Sequence, residues 1–176
     1  GCSQELVYTL IVNPENSGSE NGVIAVSDAA FEQALIDLGI DGDQTVNGLL
    51  LESDALSVTS LNVRQKGITN LNGIAAFKNL TSLDVRNNSL VTLDVSENTL
   101  IKSLLISDNA LTSVNISTLS ELITLNAGRN QLTSLDVSKN TKLVNLYANT
   151  NHISTIDISN SSELVNFQIV SNNLSA

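Results

Sequence analysis

From about residue 80 onward the chain repeats one arrangement of apolar and polar positions every 21 residues. One apolar column is Leu83, Leu104, Leu125, Leu146, Phe167, and the next is Val85, Ile106, Ala127, Ala148, Ile169. Three more columns keep the register: Leu80, Ile101, Leu122, Leu143, Leu164; then Leu90, Leu111, Leu132, Ile153, Leu174; then Leu93, Val114, Leu135, Ile156. A sixth is Val95, Ile116, Val137, Ile158. Asparagine holds the same phase at Asn88, Asn109, Asn130, Asn151 and Asn172. An earlier, degenerate copy runs Val58, Leu61, Val63, Ile68, Leu71; it is one residue longer and carries Lys66 at the asparagine position. Self-similarity at such a period means stacked units, none of which can cover its own apolar side.

The local pattern gives each unit a shape. Leu83-Asp84-Val85 alternates in, out, in, as a strand must. Stacked copies pair these strands into a parallel sheet. Leu93-Asp94-Val95 alternates again on the opposite limb. A 21-residue coil leaves little room for a helix there, so the second limb is expected to be extended or to hold single turns. Each coil offers six apolar side chains, each worth about 1.5–3 kcal/mol when fully covered, and the cover has to come from neighbouring coils.

The start of the chain reads differently. Residues 1–22 form an N-terminal segment and linker, with an apolar run at 6–12 followed by the turn-rich tract NPENSGSENG. Residues 23–57 read as a helical cap for the first coil. Ser27 or Asp28 can N-cap a helix; Phe31, Ala34, Leu35 and Leu38 then share one face, and Gly39 follows where a C-terminal glycine belongs. The repeats occupy 58–176, about five in number, with the last one incomplete.

The repeat can be written LxxLxVxxNxLxxLDVSxNxx, and it resembles the leucine-rich-repeat family over residues 58–176. The tract LxxLDVSxN is similar to repeats of surface and secreted proteins of Bacteroidetes-type bacteria. The resemblance implies an α/β-type repeat, a solenoid with a parallel sheet on its concave face. It also implies that the column Asn88, Asn109, Asn130, Asn151 and Asn172 is a structural ladder, each amide filling the turn after a strand and bonding backbone groups of adjacent coils.

Composition narrows the function. The chain is 41% apolar but only 3% aromatic, with no Trp or Met, so Leu, Val and Ile build the core. Eighteen acidic against eight basic side chains give a net charge of −10, which argues against gripping nucleic acid through its phosphates and against anionic lipid surfaces. One cysteine excludes an internal disulfide. Its setting, Gly1-Cys2-Ser3, is similar to the start of a mature bacterial lipoprotein, so Cys2 is either a lipidation site or a free terminal thiol without a role. No catalytic constellation stands out. His152 is alone in a turn, no GxSxG or phosphate-cradling glycine loop occurs, and no cofactor or metal site is indicated. Asp41-Gly42-Asp43-Gln44-Thr45 is similar to the start of a calcium loop, with Glu52 at the twelfth position, but Val46 occupies the place of the required glycine. It reads as a tight acidic turn. Asp94, Asp136 and Asp157 form an outward column and read as acceptors for nearby turn groups rather than as cation ligands.

What remains is a display surface. The outward side chains of the strands fall in three columns: Ser60, Ser82, Ser103, Thr124, Asn145, Asn166; then Asn62, Asp84, Leu105, Asn126, Tyr147, Gln168; then Arg64, Arg86, Ser107, Gly128, Asn149, Val170. Leu105 and Tyr147 are outward apolar groups, and Arg64, Arg86 and Arg129 place cations on an acidic protein. The expected partner-binding set is therefore Tyr147, Leu105, Arg64, Arg86, Asp84, Asn126, Arg129 and Gln168. The reading is a non-catalytic binder of a protein or glycan, on a cell surface, as an outer-membrane lipoprotein, or secreted. A structural spacer and an accessory domain of a larger surface protein are the alternatives. The last copy lacks its second limb, which predicts either a continuing chain or a dimer through the uncapped end.

Overall fold

The computed structural model describes residues 22–174; Cys2, the run at 6–12 and most of the 13–22 linker lie outside the described residues. An antiparallel pair, β1 (Val23–Ala25) with β2 (Leu49–Leu51), brackets helix α1 (Ala29–Asp37), and a short helix α2 (Glu52–Leu56) follows. Six strands then succeed one another: β3 (Ser60–Asn62), β4 (Ser82–Asp84), β5 (Ser103–Leu105), β6 (Thr124–Asn126), β7 (Asn145–Tyr147) and β8 (Asn166–Gln168). They form one parallel sheet in chain order. The register aligns Leu61, Leu83, Leu104, Leu125, Leu146 and Phe167 in a single file, so the degenerate first copy pairs as fully as the rest.

The core lies between the two limbs of each coil. Leu83, Leu104, Leu125 and Leu146 are wholly buried from the strand side, and Val95, Ile116 and Val137 reach the same core from the other. Among the described residues the second limb carries no strand, and in the first copy it holds the 3-10 turn Ile74–Ala76. In the coil of β8, Phe167, Val170 and Leu174 are exposed.

Each strand ends abruptly at a repeated backbone feature. Gln65, Asn87, Asp108, Arg129, Thr150 and Ser171 all have φ between 52° and 58°, and none is glycine. These are the residues immediately before Lys66 and the five phase-locked asparagines. A left-handed residue reverses the chain and starts the turn. Asn and Asp tolerate this region and β-branched residues do not, so Thr150 carries avoidable strain. Thr150→Asn is expected to raise stability by about 1 kcal/mol in urea unfolding; no gain would show that the neighbouring coils, not the residue's own preference, set this geometry.

One buried carboxylate ties the N-terminal elements to the first coil, and a second ties those elements to one another. Asp28 N-caps α1 through Oδ1, which accepts from the N–H groups of Ala30 and Phe31 at 3.0 and 2.9 Å. Its Oδ2 accepts from Thr69 N–H, the Thr69 hydroxyl and Asn70 N–H at 2.8, 2.6 and 3.1 Å. Burial alone would push this carboxyl up, but the Thr69, Phe31 and Asn70 bonds outweigh it and hold it below the usual value. Glu32, 1% exposed, lies in α1 among the core residues and accepts the N–H groups of Asn47, Gly48 and Leu49. Phe31, Ala34 and Leu35 are buried, and the Phe31 and Phe77 rings lie 6.4 Å apart. Leu38 departs from the expected apolar face: α1 ends at Asp37, Leu38 is its C-cap, and its side chain is 48% exposed. Gly39 follows with φ 68°, as a left-handed helix stop requires.

Candidate functional site

The strand face is built by alternation. Within β5, β6 and β7 the middle residue points into the core, so its neighbours point away from it. The register sets Asp84, Leu105, Asn126, Tyr147 and Gln168 side by side across five strands. Leu105, Asn126 and Tyr147 are half-buried, while Gln168 is exposed. The Tyr147 hydroxyl makes no hydrogen bond among the described residues, so the side chain offers a flat apolar body with an unsatisfied polar tip. Asn126 is committed, its Oδ1 accepting from Gly128 N–H at 3.3 Å.

Toward β8 the face is tied together by its own amides. Asn145 Nδ2 donates to the Thr124 hydroxyl at 3.0 Å, Asn166 Nδ2 to Asn145 Oδ1 at 2.6 Å, and Asn149 Nδ2 to Gln168 Oε1 at 3.0 Å. Gln168 is therefore paired with Asn149. Toward β3 the face is charged. Arg86 clamps Asp84 with two bonds, Nε at 2.9 Å to Oδ1 and Nη2 at 2.6 Å to Oδ2. Burial raises the Asp84 carboxyl and the Arg86 bonds more than reverse this, leaving it below the usual range. Asp84 is thus a nearly covered internal partner of Arg86, not the open contact residue the alternation suggested. Arg64, one strand away from Arg86 in register, is exposed and has no ion pair among the described residues. Arg129 lies outside the strands at the left-handed turn position, exposed, 3.4 Å from Asp108. Leu105 and Tyr147 therefore share the middle of the face with Asn126 between them, Arg64 and Arg86 sit at its β3 end, and Arg129 is set apart at a turn.

The phase-locked asparagines are interior. Asn130 Oδ1 accepts from Leu111 N–H at 3.0 Å, and its Nδ2 donates to the carbonyls of Ile106 and Ala127 at 3.0 and 3.2 Å. Asn109 and Asn151 repeat this, bonding Leu90 and Leu132 N–H and the carbonyls of Val85 and Ala127 in the preceding coils. Asn172 does the same for Ile153 and Ala148. Asn88 covers for Lys66: its Oδ1 accepts from both Lys66 and Ile68 N–H. A second set of buried asparagines lies on the other limb, unremarked in the sequence reading. Asn98 donates to the carbonyls of Ile74 and Phe77, and Asn140 to those of Ile116 and Leu119. The final asparagine of the LDVSxN tract is the signal for it, although Leu119 and Ser161 interrupt the column.

Other candidate chemistry does not assemble. Asp94, Asp136 and Asp157 each accept the N–H of the serine two residues on, at 3.0, 2.8 and 2.8 Å, as Asn115 does for Ser117. In the acidic turn, Asp43 Oδ1 accepts from Thr45 N–H at 2.8 Å, and burial followed by the charge of Asp43 pushes Asp41 up. Among the described residues no three His, Cys, Asp or Glu are placed to hold a metal ion. His152 is exposed.

Comparison with known proteins fits this architecture. No family model matches the chain, and no curated protein does. Solved structures do. The chain is similar to an internalin, InlF, of Listeria monocytogenes with a TM-score of 0.78 and 18% identity over 90% of this chain and 49% of that one. It is similar to the functional domain of InlJ from the same bacterium with a TM-score of 0.62 and 22% identity over 88% of this chain and 44% of that one. It is also similar to the leucine-rich-repeat ectodomain of the receptor kinase SOBIR1 from Arabidopsis thaliana, with a TM-score of 0.53 and 23% identity over 63% and 67% of the two chains. The fold is a leucine-rich-repeat solenoid. The chain spans just under half the length of the two Listeria proteins.

Proposed function

We infer that this chain is a non-catalytic recognition module working outside a cell, and that it grips a protein partner on its strand face. The observation that carries this is the Leu105–Asn126–Tyr147 row. On a scaffold whose buried positions repeat coil after coil, these outward positions differ from one coil to the next, and Tyr147 presents an unpaired hydroxyl on a half-buried ring. Large aromatic groups with few rotors and a polar tip are the side chains that most often dominate binding energy at protein interfaces. Arg64, without an ion pair, adds a charge that steers approach. The likeness to a receptor ectodomain and to internalins supports an extracellular setting. Residues 23–57 serve as the cap that shields the first coil, through Phe31, Ala34, Leu35 and the Asp28 bonds. A spacer role is the alternative, and it requires no partner at all.

An array of extracellular and surface proteins, probed with the wild type and with Tyr147→Ala, tests this. The expected result is a reproducible partner whose affinity falls at least tenfold in the variant, an effect of about 1.4 kcal/mol or more, with an unchanged melting temperature. No reproducible partner would favour the spacer.

A further inference from the structure

The limb opposite the strand face carries a groove that the reading above does not use. Its volume is about 540 Å³, within the range of small-ligand sites. One wall is the turn at residues 70–75, and the floor and other wall come from the second limbs of the next two coils. Gly73 makes that wall possible. Its φ is 98°, and a Cβ there would stand 3.0 Å from the Ala25 carbonyl oxygen and 3.3 Å from the Ile24 side chain. The turn can therefore lie against β1 while its outer side shapes the groove. Because Leu93 and Val95 enter the core from this limb and Leu83 and Val85 enter it from the strand, Thr92 and Asp94 point away from the sheet.

The lining has a definite chemistry. Leu71 and Leu93 are largely covered and Val114 is half-buried, giving an apolar floor. Around it stand Thr92, Asp94, Ser113 and Asn115, all exposed. The hydroxyls of Thr92 and Ser113 and Nδ2 of Asn115 make no hydrogen bond among the described residues, and Asp94 adds a carboxylate. They supply donors and acceptors together. Backbone and side-chain bonds from Ser96 keep the Asp94 carboxyl below its usual value, so the groove carries one negative charge and no cation. That excludes an anionic ligand. Thr92 and Ser113, and likewise Asp94 and Asn115, are equivalent positions on successive coils, so polar groups recur along the groove as hydroxyls recur along a glycan chain. We propose that this groove holds a short segment of a neutral glycan, its C–H faces on Leu71, Leu93 and Val114 and its hydroxyls bonded to Thr92, Asp94, Ser113 and Asn115. This site is separate from the protein-binding face and does not depend on it.

The test is calorimetric titration of the whole chain with cellohexaose, xylohexaose and mannohexaose, and with a hyaluronan hexasaccharide as the acidic comparison. Ser113→Trp fills the groove from an exposed position; Asp94→Asn is the milder second variant. The expected result is saturable binding of at least one neutral hexasaccharide, weakened at least tenfold by Ser113→Trp and several-fold by Asp94→Asn, unchanged by Tyr147→Ala, with the hyaluronan fragment not binding. Absence of binding by all three neutral sugars, equal binding of the acidic one, or indifference to both groove variants would overturn the proposal.

Discussion

Asn130→Ala is expected to lower stability by about 3–4 kcal/mol, although it removes no apolar contact from the file of leucines. The side chain is 8% exposed and joins the preceding coil, at Leu111 and Ile106, to its own at Ala127. Its loss leaves Leu111 N–H with no acceptor, a buried orphan costing about 1–3 kcal/mol, and removes bonds to Ile106 and Ala127 worth about 1 kcal/mol each. Asn172→Ala in the terminal coil should cost about 1 kcal/mol, because Asn172 is half-buried and solvent can replace part of what is lost. Urea unfolding of the two variants side by side measures the contrast. Equal, small losses would mean that apolar stacking alone holds the coils together.

Asp28→Ala is the second large effect, also about 3–4 kcal/mol. One oxygen caps α1, worth about 1 kcal/mol, and the other binds the coil at Thr69 and Asn70 through bonds to a charged acceptor, each stronger than a neutral one. The same carboxylate gives a pH signature. Its folded-state pKa lies below the ordinary 3.8. Its contribution is therefore complete above that value and is lost as pH falls through the folded pKa. Wild-type stability should drop on acidification below about pH 4, and the drop should be shallower in Asp28→Asn. At neutral pH that variant keeps the helix cap but sets a donor against the Thr69 N–H, so it should still lose stability. An Asp28→Asn protein as stable as wild type at pH 7 would show that Oδ2 ties nothing to the coil.

The parts of this molecule that were legible in the sequence are those governed by period. Leu83, Leu104 and Leu125 share a phase, and phase alone puts them in one file and their neighbours outside. The ladder asparagines were legible for the same reason. Features depending on contacts between distant residues were not. Nothing local marks Glu32 as buried, since a helix with one polar position on its inner side looks unremarkable until residues 47–49 fold over it and offer three N–H groups. Leu38 failed in the opposite direction: the apolar pattern ran one residue past the last helical turn. The left-handed column at Asn87, Asp108, Arg129, Thr150 and Ser171 was hidden because those residue types share no preference; the coil imposes the conformation. On the strand face, alternation identified which residues point outward but not how they pair. That Arg86 bends back onto Asp84, two residues before it in the same coil, while Arg64 forms no ion pair among the described residues, depends on side-chain reach that alternation does not encode.

Whether recognition uses the strand face is tested most directly by photo-crosslinking from single positions. A benzophenone side chain at Asn126 stands between Leu105 and Tyr147; one at Ser134 stands on the opposite limb. With the protein partner identified on the array, the Asn126 position should give an adduct and the Ser134 position none. Adducts from Ser134 alone would move protein recognition to the other side of the solenoid and remove Tyr147 from it.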